Sequence, residues 1–420
     1  MKWTVKGSFL LLIICAVSLA FNSHSSTITY SSQSLYRELF EEKQAINDAK
    51  RDKEIERRNE WNRRNEVLKE TLKEYYVPLP LDKQNSFDVP VVKGIYVTGN
   101  TAGTPKYFNH LIDFLDRSEL NAMVIDVKDD NGLITYESNI EIVESAEADR
   151  YVRIQNIKSF IETLENHNIY PIARVVTFKD SNLCNHYPEF AIQKKSGSIW
   201  RDRNGVPWVN PYDKRVWDYN VAIAKEAALN GFKEIQFDYV RFPENGSKVD
   251  AEAFFPGKND VSKEDCVAGF LAYARQQLKD YNVVISADVF GLTTSADDDM
   301  NIGQKWEKIS PAVDYISPMI YPSHYYPGNY GFDNPNAHPY EVIDRAVKDA
   351  LKKDAGLEKK AVIRPWIQDF TLGSPKYTGE DVLKQIKALN DNGIQGYMLW
   401  NAGNVYSENA FTADIAPSTK

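Results

Sequence analysis

Between residues 91 and 405 the chain alternates two hydrophobic rhythms. Short runs rich in β-branched and aromatic residues recur as "KGIYVTG", "AMVIDVK", "YPIARVVT", "EIQFDYVRF", "VVISADVFG", "DYISPMIY", "AVIRPWIQDF" and "GYMLWNAG". Between them, at 107–119, 154–167, 214–229, 263–278, 340–351 and 380–390, apolar side chains return every three or four positions. The first rhythm predicts strands and the second amphipathic helices. Eight strands alternating with helices predict an α/β fold, a (β/α)8 TIM barrel. A doubly wound open sheet is the alternative. It usually has fewer units and a Gly-rich first turn, and "VTGNTAGTP" lacks the G-x-G-x-x-G spacing.

Strand parity then assigns faces, because residues two apart point the same way. In "EIQFDYVRF", Gln236 and Asp238 share the face opposite Ile235 and Phe237, so the amide and the acid point into the barrel. The same parity turns Ser286 and Asp288 inward, sets Asp126 with Lys128, Arg174 with Ile172 and Val176, and Arg364 with Trp366 and Gln368. An inward carboxylate is costly unless paired or solvated, so several on different strands imply a shared polar site. For Asp126 a buried ion network with Arg174 or Lys128 is an equal alternative. The segments after the second, third, fourth and sixth strands, at 129–150, 178–211, 242–261 and 322–339, are long, and all follow strand C-terminal ends, where barrel enzymes build their sites.

Two carboxyls facing one another across such a mouth suit glycoside hydrolysis, one donating a proton and the other attacking or activating water. Asp238 is the candidate nucleophile or stabiliser, favoured by Arg174 or Arg241, and Asp288 the candidate acid; the reverse assignment is open. Aromatic residues cluster in or near the same loops, and Trp208, Tyr321, Trp366 and Trp400 are candidate platforms for the CH faces of sugar rings. Asp126, Lys128, Arg174, Gln236, Arg241 and Gln368 complete the candidate substrate-binding set. The expected partner is a polysaccharide or oligosaccharide.

Other chemistries find little support. The histidines lack H-x-H or H-E-x-x-H spacing, and "ADDDM" and "KDDNG" lack the spaced acids of a calcium loop, so no metal is expected. No phosphate loop or G-x-S-x-G elbow occurs, and no cofactor is expected. A net charge of -9 argues against a nucleic-acid partner, which requires a basic face.

Ahead of the barrel, residues 1–22 read as a signal peptide or membrane anchor: Lys2 and Lys6 precede "FLLLIICAVSLAF", which ends in small residues around Ala20. The protein is therefore expected outside the cytoplasm, secreted or tethered by this segment. Residues 23–90 form a spacer and linker. Its 35–76 portion is charge-dense, without Gly or Pro, and predicts a solvated helix that Pro78, Pro80 and Pro90 terminate. Residues 406–420 are a tail. Cys184 and Cys266 follow the leader, and a bridge between them is not expected to be needed in a fold this large.

Taken together and in order, "VKGIYVTG", "VIDVKDDNG", "QFDYVRFP", "SADVFG" and "YISPMIYPSHY" resemble the bacterial glycosyl hydrolase-like domain family catalogued as a domain of unknown function, over roughly residues 91–405. The resemblance implies a glycosidase-like barrel. In the wider amylase-like group, an aspartate nucleophile follows the fourth strand and an acid the fifth; Asp238 and Asp288 match those places, with Asp where Glu is common as the acid. Two other functions fit the same sequence: a carbohydrate-binding barrel without catalysis, and an envelope scaffold worked by the charged helix.

Overall fold

The computed structural model describes residues 62–79 and 89–412, with scattered positions between 49 and 60. The expected export segment, most of the spacer and residues 413–420 lie outside the described residues. No helix among the described residues is long and apolar enough to cross a membrane. The chain comprises two compact units, Met1–Val67 and Leu68–Lys420.

The second unit contains the barrel. Its strands are β1 Lys93–Val97, β2 Ala122–Lys128, β3 Tyr170–Val176, β4 Glu234–Asp238, β5 Val284–Phe290, β6 Tyr315–Ile320, β7 in two pieces, Val362–Ile363 and Trp366–Gln368, and β8 Tyr397–Trp400. All neighbours pair in parallel, and β8 pairs with β1, closing the cylinder. Helices α1 Pro105–Asp116, α2 Ile157–Asn166, α3 Lys214–Asn230, α4 Lys263–Leu278, α5 Trp306–Ile309, α6 Pro339–Asp354, α7 Gly379–Asp391 and α8 Asn409–Thr412 follow the strands in turn. β7 is broken because Pro365 has no N–H to donate. Arg364 N–H still bonds to Ile316 O, and Pro365 O accepts from Met398 N–H, so the ladder survives the gap.

Helix ends obey local chemistry. Asp213 and Ser262 cap α3 and α4 through their side chains, Thr378 and Asp381 form a reciprocal capping box on α7, and α3 stops at Gly231 with φ 111°, a left-handed conformation suited to glycine.

The period-2 pattern separates two cores. Ile235, Phe237, Ile285, Ala287, Ile316 and Ile320 pack outward against the helices, while Val92, Tyr96, Ala122, Val124, Ile172, Trp366 and Met398 fill the interior. One expected direction is corrected. Lys128 does not share the inner face with Asp126, because a bulge places both opposite consecutive residues of β3, Asp126 against Arg174 and Lys128 against Val175. Lys128 therefore points to the helix layer, where its ammonium meets Asp180 at 2.7 Å and Asn220 at 3.0 Å, fully buried. Burial pushes its pKa down, against the pull of Asp180.

The end of the charged segment belongs to this unit. Leu72 is buried beside Gly269 of α4, where an added Cβ would meet Leu72 and Trp217 at 3.3 Å. Tyr75 lies 4.8 Å from the Tyr273 ring and donates to Asp218 at 2.7 Å. A chain starting at residue 77 is therefore expected to be less stable than one starting at 68 by about 2–4 kcal/mol. Comparing urea midpoints measures the difference; equal midpoints would show that this contact contributes nothing.

Candidate active site

Arg174 is the hub of the barrel mouth. Parity on β3 turns it inward, and three carboxylates from two strands and a loop converge on its guanidinium. Nε and Nη2 lie 2.8 and 2.7 Å from Oδ2 of Asp238 at the end of β4, Nη1 lies 2.7 Å from Asp126 of β2, and Nη2 also reaches Asp130 at 2.8 Å. Burial opposes the charge on Arg174, but Asp238, Asp126 and Asp130 together raise its pKa well above the usual arginine value. The second oxygen of Asp126 accepts from the Tyr96 hydroxyl at 2.6 Å. Burial raises Asp126 to about 6 against the opposing pull of Arg174. Both readings of Asp126 thus meet in one place: it belongs to an ion network, and that network surrounds Asp238.

Asp238 is held at both oxygens. Oδ1 accepts the backbone N–H of Tyr239 at 2.6 Å, and Tyr239 has φ 47°, a left-handed conformation rare for an aromatic residue. Such strain often marks sites where the chain must turn sharply to present a side chain.

Asp288, at the same end of β5, sits in a different environment. It is 1% exposed and accepts a 2.8 Å hydrogen bond from Trp366 Nε1. Burial and then the charge of Asp238 push its pKa well above the ordinary carboxylate range. Burial therefore favours the protonated form of Asp288 beside the Trp366 indole, while its neighbour Asp238 is paired with a guanidinium.

An aromatic cluster adjoins this pair through Trp366. Trp400 stacks on Tyr96 at 4.1 Å and meets Trp366 edge-on at 5.5 Å, with Tyr321 tilted toward it at 6.5 Å. Among the described residues, Tyr321 OH, Ser317 Oγ and Gln236 Oε1 are buried without a hydrogen-bond partner, on or just beyond the inward faces of β6 and β4. Beside Asp126 a cavity of about 210 Å³ opens between the β1 and β2 loops, lined by Tyr96, Asn100, Asp129, Asp130, Asn131 and Arg153 among others.

The remaining candidates brace the mouth. Arg241 does not bond to Asp238; it is buried over the rings of Trp208, Tyr239 and Phe290 and pairs with Glu244 at 3.2 Å. Trp208, 3% exposed, is covered by Arg241 and Tyr239, and its indole donates to Asp202. Gln368 ties the β6 and β7 loops together through Ser323 N–H, Phe370 O and Asn336. Gln236 donates to Met398 Sδ, deeper in the barrel. Cys184 and Cys266 are free and buried. Among the described residues no group of three His, Cys, Asp or Glu side chains is placed to hold a metal; Asp129 and Asp299 instead accept backbone N–H groups within their own turns.

Sequence reasoning overlooked three residues that the geometry brings in. Tyr96 sits two positions from Gly94 on β1, and its inward parity was available. Asp130 lies in the β2 loop, where parity has no force. Glu234 precedes Gln236 by two and shares its face; it pairs with Arg364 and accepts from Ser286 at the barrel floor.

The closed parallel barrel, with acids and indoles gathered at the C-terminal ends of its strands, is the architecture of a glycosidase-like TIM barrel. A sequence profile for the family described as "Putative glycosyl hydrolase domain" matches residues 94–406, and the chain belongs to that family. The glycoside hydrolase domain of PgaB (BpsB) from Bordetella bronchiseptica shares the fold, with a TM-score of 0.57 and 12% identity over 77% of this chain and all of that one. A hypothetical protein from Ruminiclostridium thermocellum is 41% identical over 46% of this chain and 97% of its own, with a TM-score of 0.42. The α-galactosidase TtGalA from Thermus thermophilus is 12% identical, covering 78% of this chain and 63% of its own, with a TM-score of 0.48. No curated protein sequence matches the chain.

Proposed function

We propose that this protein is a glycoside hydrolase acting on a polysaccharide outside the cytoplasm, with Asp238 as nucleophile or charge stabiliser and Asp288 as general acid. The observation that carries the reading is the divergent electrostatics of two neighbouring carboxyls. Asp238 is charge-balanced by Arg174, whereas burial and the charge of Asp238 keep a proton on Asp288. A neutral acid beside an ionised carboxylate is what protonation of a leaving oxygen and stabilisation of an oxocarbenium-like centre require. Trp400 and Tyr321 supply ring faces beside Trp366, which bonds Asp288, and the unpartnered Tyr321 hydroxyl and Gln236 and Ser317 oxygens supply groups for sugar hydroxyls. Asp288 is 1% exposed, so this reading requires side chains around it to move before a glycosidic oxygen can reach it. The leader-like residues 1–22 support the location.

That same burial of Asp288 favours a second reading, a carbohydrate-binding barrel that does not turn over. Incubating the full chain with a panel of envelope polysaccharides and exopolysaccharides, and measuring new reducing ends, separates the two. Release of sugar is the expected result. Saturable binding without release across the panel would establish the binding barrel instead.

A further inference from the structure

We propose that Tyr96, Asp126 and Arg174 are positioning residues for Asp238, and that ionisation of Asp126 decides whether Arg174 is pinned in the orientation that presents Asp238 Oδ1 to the substrate. The inference rests on the reading of Asp238 as a catalytic carboxylate and extends it to how that carboxylate is aimed.

The geometry is specific. Arg174 places two nitrogens on a single oxygen of Asp238, Oδ2, and none on Oδ1, which has only the Tyr239 N–H. A guanidinium is a rigid planar fork, so fixing its third nitrogen fixes the plane in which the other two point. That third nitrogen, Nη1, is held by Asp126 Oδ1, and Asp126 is held in turn by the Tyr96 hydroxyl on its other oxygen. Tyr96 cannot turn freely, since its ring lies against Trp400. The chain of contacts therefore runs from the aromatic cluster, through one hydroxyl, one carboxylate and one guanidinium, to Asp238.

Asp126 is the member that can change charge. It borders the cavity between the β1 and β2 loops, which gives solvent protons a route. The groups facing it are Tyr96 from β1, Arg174 from β3, Asp129 and Asp130 from its own loop and Arg153 across the cavity, with Asp238 of β4 behind the shared guanidinium. Its raised value, about 6, brings its change of charge closer to neutral pH than that of an ordinary carboxylate. Below that pH Asp126 is neutral, its bond to Nη1 loses charge assistance, and Arg174 is anchored by anions only through Nε and Nη2, at Asp238 and Asp130. The aim of Asp238 is then less tightly fixed on acidification, and the rate falls with it.

The test follows carbon-13 at the aspartate Cγ atoms of the full chain by NMR as pH is varied, and measures kcat and KM against pH on the polysaccharide that yields reducing ends. Tyr96→Phe and Asp126→Asn are compared with wild type, with near-UV circular dichroism to verify folding. In wild type the Asp126 resonance is expected to titrate near 6 and the Asp238 resonance to shift in step. Tyr96→Phe removes a bond that favours the carboxylate, so the Asp126 titration moves up by about 0.5–1 pH unit. The acidic limb of kcat moves up equally, while KM holds. In Asp126→Asn that limb disappears and kcat drops about tenfold or more. An Asp126 titration in the ordinary carboxylate range would overturn the inference, as would a Tyr96→Phe shift that leaves the acidic limb in place. If no polysaccharide is cleaved, the proposed hydrolase activity fails, and the NMR experiment still decides the positioning: an Asp238 resonance indifferent to Asp126 titration rejects it, and a coupled one supports it.

Discussion

Asp238→Asn is expected to lower polysaccharide hydrolysis by about 10³–10⁴-fold while the barrel stays folded. The amide keeps the shape of the carboxylate, and Arg174 retains Asp126 and Asp130 as counter-charges, so the network loses one anion and is not orphaned. What disappears is the negative charge facing the sugar. Reducing-end assays on wild type and variant, with matched near-UV spectra, measure the effect. A variant within tenfold of wild type would remove Asp238 from the chemistry.

The largest effect on stability is expected at the opposite end of the barrel. Glu234 of β4 and Arg364, in the break of β7, are each about 1% exposed or less and face one another across the barrel floor, with Nη1 of Arg364 3.1 Å from the carboxylate and Nη2 also in contact. Ser286 donates to the same carboxylate and Tyr315 lies beneath the guanidinium at 4.3 Å. Arg364→Met leaves Glu234 charged and buried without its partner, at an expected cost of about 3–5 kcal/mol. Adding Glu234→Leu should restore much of that, because an apolar pair needs no compensation. Denaturant midpoints for both single variants and the double variant form the cycle. A single-variant cost under about 1 kcal/mol would mean that the floor is more solvated than its burial implies.

Much of this architecture was legible because it rests on short-range rules. Alternation placed Asp126, Arg174, Gln236, Asp238, Ser286 and Asp288 on the inner face because their strands keep their pleat through these positions, and it placed Arg364 and Trp366 there because hydrogen bonds carry the ladder across the break in β7. Lys128 failed for the same reason in reverse: a single extra residue at a bulge flips the next side chain, and nothing in "DVKDD" announces it. Trp208 and Arg241 were legible as mouth residues but not as partners of each other, since the 178–211 loop and the residues just after β4 meet only in three dimensions. Sequence likewise gave no means of seeing that Asp130 would reach back to Arg174, or that Asp288 would be buried against the Trp366 indole. Those outcomes depend on loop paths and on burial, which set charge states that residue identity alone does not.

The assignment of roles to Asp238 and Asp288 is tested most directly by the pH dependence of kcat/KM for wild type and Asp288→Asn, on the polysaccharide and on an aryl glycoside of the same sugar. The aryl leaving group departs without help from an acid. Because the pKa of Asp288 is raised, wild type should show, besides the acidic limb set by Asp126, a basic limb on the polysaccharide as pH rises through that raised value. Asp288→Asn should lose about 10²–10⁴-fold on the polysaccharide, keep most of its rate on the aryl glycoside and show no basic limb there. Equal losses on both substrates, or a basic limb that survives the substitution, would contradict Asp288 as the acid.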